Sequence, residues 1–193
     1  MSALLGYETG DGDEAPERIW VDTPGSHRVC AACKHELLAA MHELKPREGA
    51  RLVVLGVEVG SVPESERRAL LGKIGFVPAH GGLISSLNAW ENISLPVAYH
   101  APARLPGLLE QVHELLEELG GVDRNLLAKL PEEMTLYEKR LTGYVRALTE
   151  TPQLLLVENL AAGLGPTKRE RAERFADTYH ARCPGGTFVQ LDE

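Results

Sequence analysis

The sequence predicts an α/β domain built on a mostly parallel sheet flanked by helices, and three observations carry this. Short apolar runs alternate with amphipathic stretches, the pattern left by strands joined through crossover helices. Residues 154–157 are apolar at four successive positions, which reads as a strand covered on both faces. Ser/Thr/Asn-x-x-Glu patterns recur just ahead of apolar periodicities, where helix starts are expected.

The elements follow in order. Residues 1–17 are Gly- and acid-rich and read as a flexible leader. Residues 18–22 (RIWVD) read as a short strand, followed by turn chemistry in Thr23-Pro24-Gly25-Ser26. In KHELLAAMHEL, Leu37, Leu38, Met41 and Leu44 share one helical face, and Pro46 stops the helix. Residues 52–57 (LVVLGV) read as one apolar strand. Ser61-x-x-Glu64 predicts a capping box opening a helix over 63–71, and KIGFVP the next strand. Residues 79–86 read as a loop; Asn88-x-x-Glu91 predicts a cap on a short helix that Pro96 interrupts.

Residues 106–119 carry a stripe of Leu108, Leu109, Val112, Leu115, Leu116 and Leu119, closed by Gly120-Gly121. A third box, Thr135-x-x-Glu138, precedes Leu141, Tyr144, Val145 and Leu148 at helical spacing. Thr167-x-x-Glu170 predicts the cap of a charged, solvated helix to about Arg182, and TFVQL the last strand. No internal repeat is present.

Composition narrows the function classes. The 193 residues are 44% hydrophobic and 25% charged, and 18–193 read as one domain. A net charge of −8 argues against nucleic acid or an anionic membrane as the main partner. The chain shows no secretory leader and no membrane-spanning run, so a cytoplasmic protein is expected. Three cysteines do not make a disulfide framework.

The segments ERRALLGKIGFVPAHGGLISSLNAWENISLP, TLYEKRLTGYVRALTETPQLLLVEN and AAGLGP carry a family resemblance. Their order is similar to the Q-loop region, the signature helix with Walker B strand, and the D-loop of an ATP-binding-cassette (ABC) ATPase. In particular they resemble the ATPases of bacterial lipid-trafficking transporters that work with Mce-type substrate-binding proteins. The resemblance implies a P-loop NTPase-like ABC ATPase fold with a small helical subdomain at about 80–149. It also implies a membrane permease as partner, pairing with itself or with an active ATPase subunit, and a place at the inner membrane through that permease.

Residue by residue, the implied chemistry is depleted. A P-loop cradles phosphate with glycine backbone, a lysine and a Mg²⁺-binding hydroxyl. In RVCAACKH, Lys34 matches the lysine, His35 the hydroxyl position, and Arg28, Ala31 and Cys33 the glycines. Ala79 matches the Q-loop glutamine, Glu158 the Walker B acid and Gly165 the D-loop acid. Asn159 matches the catalytic glutamate, and an amide cannot accept a proton as general base. Thr135 matches the signature serine, and Glu138 would place negative charge facing a partner's γ-phosphate. The expectation is a degenerate cassette in which ATP binding is weak or lost, Mg²⁺ is doubtful, hydrolysis is not expected unaided, and no catalytic residue is assigned.

Other readings stay open. Lys34 can be an ordinary solvated lysine at a helix start. Cys30-x-x-Cys33 before a helix also fits a thiol redox module; a zinc site would have to collect Cys30, Cys33, His35 and Cys183, and no metal site is expected. A non-nucleotide structural or regulatory interaction protein is the remaining alternative. Leu83, Ile84, Leu87 and Trp90 lie where the resemblance places permease docking, and core packing explains them equally well.

Overall fold

The computed structural model describes residues 4–9, 18–30, 34–120 and 125–192, with the side chain of Cys30 left out. The strands are β1 (Leu5–Glu8), β2 (Arg18–Val21), β3 (Gly25–Cys30), β4 (Arg51–Val54), β5 (Val57–Glu58), β6 (Ile74–Val77), β7 (Leu154–Glu158) and β8 (Thr187–Asp192). The helices are α1 (Lys34–Glu43), α2 (Glu64–Leu71), α3 (Ala89–His100), α4 (Leu105–Glu118), α5 (Leu136–Thr149), α6 (Pro166–Glu173) and α7 (Phe175–Arg182).

Two four-stranded sheets organise these elements. One is parallel throughout, in the order β3-β8-β7-β6; the other is antiparallel, in the order β2-β1-β4-β5. The parallel sheet is the one the apolar runs predict. The strands expected at 18–22 and 52–57 do not announce the antiparallel sheet as a separate layer.

Both faces of the parallel sheet are covered, which explains its uniformly apolar central strand. Leu155, Val157 and Phe188 face a core completed by α3, α4, α5 and α7. Leu154, Leu156, Val189 and Leu191 face a second core, shared with α1 and the antiparallel sheet. Alternation along β7 therefore sends successive leucines into different cores. The chain is a three-layer sandwich with helices on one side and α1 plus a sheet on the other.

Several expectations are corrected by local physics. Residues 5–8, placed in the leader, form β1, with Leu5 and Tyr7 buried; residues 10–17 lie outside the described residues. Residues 52–57 are not one strand. Leu55 (φ 50°) and Gly56 (φ 81°) turn the chain back as a two-residue hairpin between β4 and β5. Ser61 does not cap α2: its hydroxyl donates to the Glu58 carbonyl, and Pro63 stands at the N-cap without a side-chain bond.

Pro96 does not interrupt α3, which runs from 89 to 100. The proline removes one backbone donor. Ile93 and Val97, both fully buried on either side of it, hold the helix against the core. Leu109 leaves the stripe of α4 and is 45% exposed, while its five companions are buried.

The helix predicted over 167–182 is two helices meeting at Arg174, and Gly165 rather than Thr167 is the first N-cap. The second helix is not simply a solvated face. Phe175 and Tyr179 are buried, and Phe175 stacks on Tyr144 at 4.1 Å between ring centroids.

Candidate functional site

All four parallel strands end on the same side, where ligands of open α/β sheets are bound. The C-terminal ends of β3, β7 and β6 bring the neighbourhoods of Lys34, Glu158 and Ala79 to this edge. The register fixes the alignment, since Glu158 stands opposite Leu191 on β8.

Lys34 opens α1 and is only 4% exposed. Its ammonium is buried and has no hydrogen-bond partner. That is an unfavourable place for a cation, because burial removes hydration and a helix start carries positive partial charge. It is therefore not the solvated lysine that the sequence left open. His35, the next residue, is exposed. Residues 31–33 lie outside the described residues, as does the side chain of Cys30. The Cys30-x-x-Cys33 pair, and with it the redox and zinc readings, thus falls outside them. Cys183 is a buried free cysteine whose thiol is pushed up by burial, with Arg182 opposing. Among the described residues no cluster of three His, Cys, Asp or Glu could hold a metal ion.

Arg28, placed at a loop-glycine position, lies inside β3. Its Nε meets Asp192 at 3.2 Å, and Gln190 Nε2 donates to both Asp192 oxygens at 2.9 Å.

Glu158 sits half-buried at the end of β7. One of its oxygens, Oε2, accepts the Ala79 N–H at 3.2 Å. Beside it lies Arg140, 4% exposed, whose Nε donates to the Ala79 carbonyl at 2.7 Å. A second nitrogen of Arg140 donates to the carbonyls of Leu160 (2.9 Å) and Ala162 (2.6 Å). Burial pulls the Arg140 guanidinium below arginine's ordinary value, and the charge of Glu158 opposes this. Asn159 is buried at φ 46°, with its N–H donated to Leu191.

Mg²⁺ calls for oxygen ligands in a near-ideal octahedron. Of the residues matched to the metal stations, Glu158 alone offers a carboxylate, and that carboxylate is already hydrogen-bonded. Asn159 and the imidazole of His35 add no carboxylate, so the set is poor in the hard oxygen ligands Mg²⁺ prefers.

Thr135 and Glu138 behave as the sequence predicts locally. Thr135 Oγ1 accepts the Glu138 N–H, and Glu138 Oε2 accepts the Thr135 N–H at 2.8 Å, a complete capping box. The other oxygen, Oε1, meets Lys129 Nζ at 2.7 Å. The Glu138 charge is therefore neutralised within the chain.

Burial works to raise the Glu138 carboxyl pKa, but the hydrogen bonds from Lys129 and Thr135 outweigh it and hold the group below its ordinary 4.5. A carboxyl lowered on folding stabilises above its unfolded value and loses that stability as pH falls through the lowered one. Glu138→Gln is expected to lower unfolding free energy by about 1–2 kcal/mol at pH 7. Urea unfolding at descending pH should show the gap to wild type closing below about pH 4.

The loop 79–88 is fastened by two devices. Asn92, fully buried, accepts from Ile84 N–H through Oδ1 and donates through Nδ2 to the carbonyls of Ile84, Leu87 and Asn88. Arg146 donates to the Gly82 carbonyl at 2.9 Å. On the outside of this loop, Ile84 is 44% exposed and Leu87 half-buried, whereas Leu83 and Trp90 pack partly on the helical core. Farther along α3, Leu95 and Tyr99 are exposed, Tyr99 by 83%.

Sequence reasoning missed Arg140, Lys129 and Arg28–Asp192. Arg140 alone left a signal: it lies four residues before Tyr144, a charge on the apolar face of α5.

The fold is that of an ABC-type ATPase domain. The chain superposes on the ATP-binding cassette MJ0796 in its dimeric, post-hydrolysis state bound to ADP and Pi, with a TM-score of 0.69. That match has 15% identity and covers 99% of this chain and 86% of the other. The subunit cbiO1 of Clostridium perfringens, part of the ABC transporter complex cbiONQ, gives a TM-score of 0.72 at 13% identity, over 100% and 78% of the two chains.

By sequence, the chain is similar to methionine import ATP-binding proteins, and these relatives support an ABC nucleotide-binding domain. MetN of Rhizobium meliloti is 30% identical over 135 residues, which cover 70% of this chain and 37% of the relative. MetN 1 of Pseudomonas putida is 27% identical over 135 residues, 70% and 40% of the two chains. The chain thus spans little more than a third of the length of the curated relatives it matches. No family model matches the chain. No described helix is long and apolar enough to cross a membrane.

Proposed function

We propose that this chain is a degenerate ATP-binding-cassette subunit of an ABC transporter, which docks on a membrane permease and does not hydrolyse ATP unaided. The observation that supports this best is the state of Glu158. The carboxylate in the Walker B position is engaged by the Ala79 N–H and faces the buried Arg140. Asn159 beside it cannot serve as a general base. Lys34 keeps an ammonium for a phosphate, but without a Mg²⁺ set nucleotide binding is weak.

Docking uses the outer side of the 83–90 segment, with Ile84 and Leu87 as the accessible apolar contacts and Leu83 and Trp90 behind them. The subunit works at the cytoplasmic side of the inner membrane, with a second copy or a competent ATPase opposite. Two cargo readings apply. The resemblance of the 66–96 and 135–166 segments points to lipid trafficking, whereas the curated relatives are named for methionine import.

Titration calorimetry with Mg-ATP tests the nucleotide half: no heat below millimolar nucleotide is expected, and micromolar binding with turnover lost in Lys34→Ala would overturn the reading. The permease that co-purifies with the chain from solubilised membranes separates the two cargoes. Ile84→Asp should release it.

A further inference from the structure

We infer that Arg140 and Glu158 form a built-in strut that ties α5 to the segments after β6 and β7 without nucleotide. The inference rests on the reading of the chain as a degenerate cassette, and concerns what the remaining residues of that site now do.

The geometry is that of a single buried guanidinium with three backbone acceptors on two segments. From α5, Arg140 reaches Ala79 after β6, and Leu160 and Ala162 after β7. Glu158 closes the ring by accepting the N–H of the same Ala79 whose carbonyl Arg140 binds. The carboxylate does not touch the guanidinium; its charge favours the arginine's charged form through space. Every acceptor of Arg140 is a main-chain carbonyl. The strut is thus indifferent to the side chains at 79 and 162, and it survives where the residues for ATP chemistry do not.

Backbone contact reinforces the closure. Gly81, at φ 81°, lies directly against Gly143 of α5, and Arg146 binds the carbonyls of Gly82 and Gly81. Thus α5 is fixed to the carboxyl ends of β6 and β7 by hydrogen bonds within the chain. A subunit closed in this way presents one constant surface to a partner, whether or not nucleotide is present.

Hydrogen–deuterium exchange of the full chain tests this. Arg140→Lys keeps the charge but loses the planar fork that spans both segments. It should speed exchange of the 79–82 and 160–164 amides together by about tenfold, while amides of β7 keep their rates. In the wild type, 5 mM Mg-ATP should leave both segments unchanged.

The strut is overturned if Arg140→Lys leaves either segment at its wild-type rate, or if Mg-ATP slows both segments of the wild type about tenfold. Should Arg140→Lys not fold, Glu158→Gln removes the counter-charge and keeps an acceptor, and the same paired acceleration, of a few-fold, is required. Calorimetric ATP binding with exchange unmoved would defeat the weak-binding reading of the site and leave the strut standing.

Discussion

Replacing Asn92 by alanine lowers the unfolding free energy by about 3 kcal/mol and the thermal midpoint by roughly 10 °C. The side chain is fully buried and saturates its amide with four backbone groups of the 84–88 loop. Truncation removes few apolar contacts, so a cavity argument alone predicts a small effect. The unpaired groups decide it. The Ile84 N–H and the Ile84 and Leu87 carbonyls lose partners in a partly buried loop, at about 1 kcal/mol or more each. Asn92→Asp distinguishes this account from simple packing. It keeps the volume and the acceptor for Ile84 but loses the donors, so it should lose most of the stability that alanine loses. Guanidinium unfolding of the two variants measures the difference, and an Asp variant as stable as wild type would refute it.

The helix that carries Asn92 shows what is legible in the sequence. Asn88-x-x-Glu91 announced a helix start because a capping box is a local device, complete within four residues. Thr135-x-x-Glu138 was legible for the same reason. Residues 154–157 were legible because burial on both faces leaves a composition no other environment favours.

Failures occurred where one local pattern fits two geometries. Ser61-x-x-Glu64 has the letters of a capping box, but the turn after β5 takes the serine hydroxyl for Glu58. Residues 52–57 have the apolar content of a strand, while Leu55-Gly56 turns the chain, a conformation leucine rarely supports. Pro96 reads as a helix breaker until Ile93 and Val97 are seen to be buried on both sides of it.

The site divides along the same line. Which residues align with phosphate and metal stations could be read from order and spacing. What those residues touch could not. Glu138 reads as an outward charge, yet Lys129, nine residues earlier and on a different element, neutralises it. Glu158 reads as a lengthened metal ligand, yet Ala79, 79 residues away in sequence, supplies its hydrogen-bond donor. The second pairing depends on the topology of the parallel sheet, in which neighbouring strands are distant in sequence, and the first on how the turn before α5 folds back on it.

Gly143→Ala is expected to destabilise the domain by about 2–3 kcal/mol, although helix propensity argues the opposite sign. Gly143 lies in the interior of α5, where alanine is favoured over glycine by about 1 kcal/mol. Against this, an added Cβ would overlap the backbone of Gly81, including its carbonyl, which cannot move aside as a flexible side chain would. Overpacking typically costs about 1–3 kcal/mol, and a clash with a backbone carbonyl this close belongs at or above the upper end. Sterics therefore win, and the net sign is destabilising.

The consequence reaches the site. Shifting Gly81 displaces Ala79, two residues away, and with it the bonds to Arg140 and Glu158. Gly143→Ala should thus both lower the unfolding midpoint in urea and expose the 79–82 amides to exchange. A more stable protein with unchanged exchange would show that the helix and loop can separate freely, and that close backbone contact is not what seats this loop.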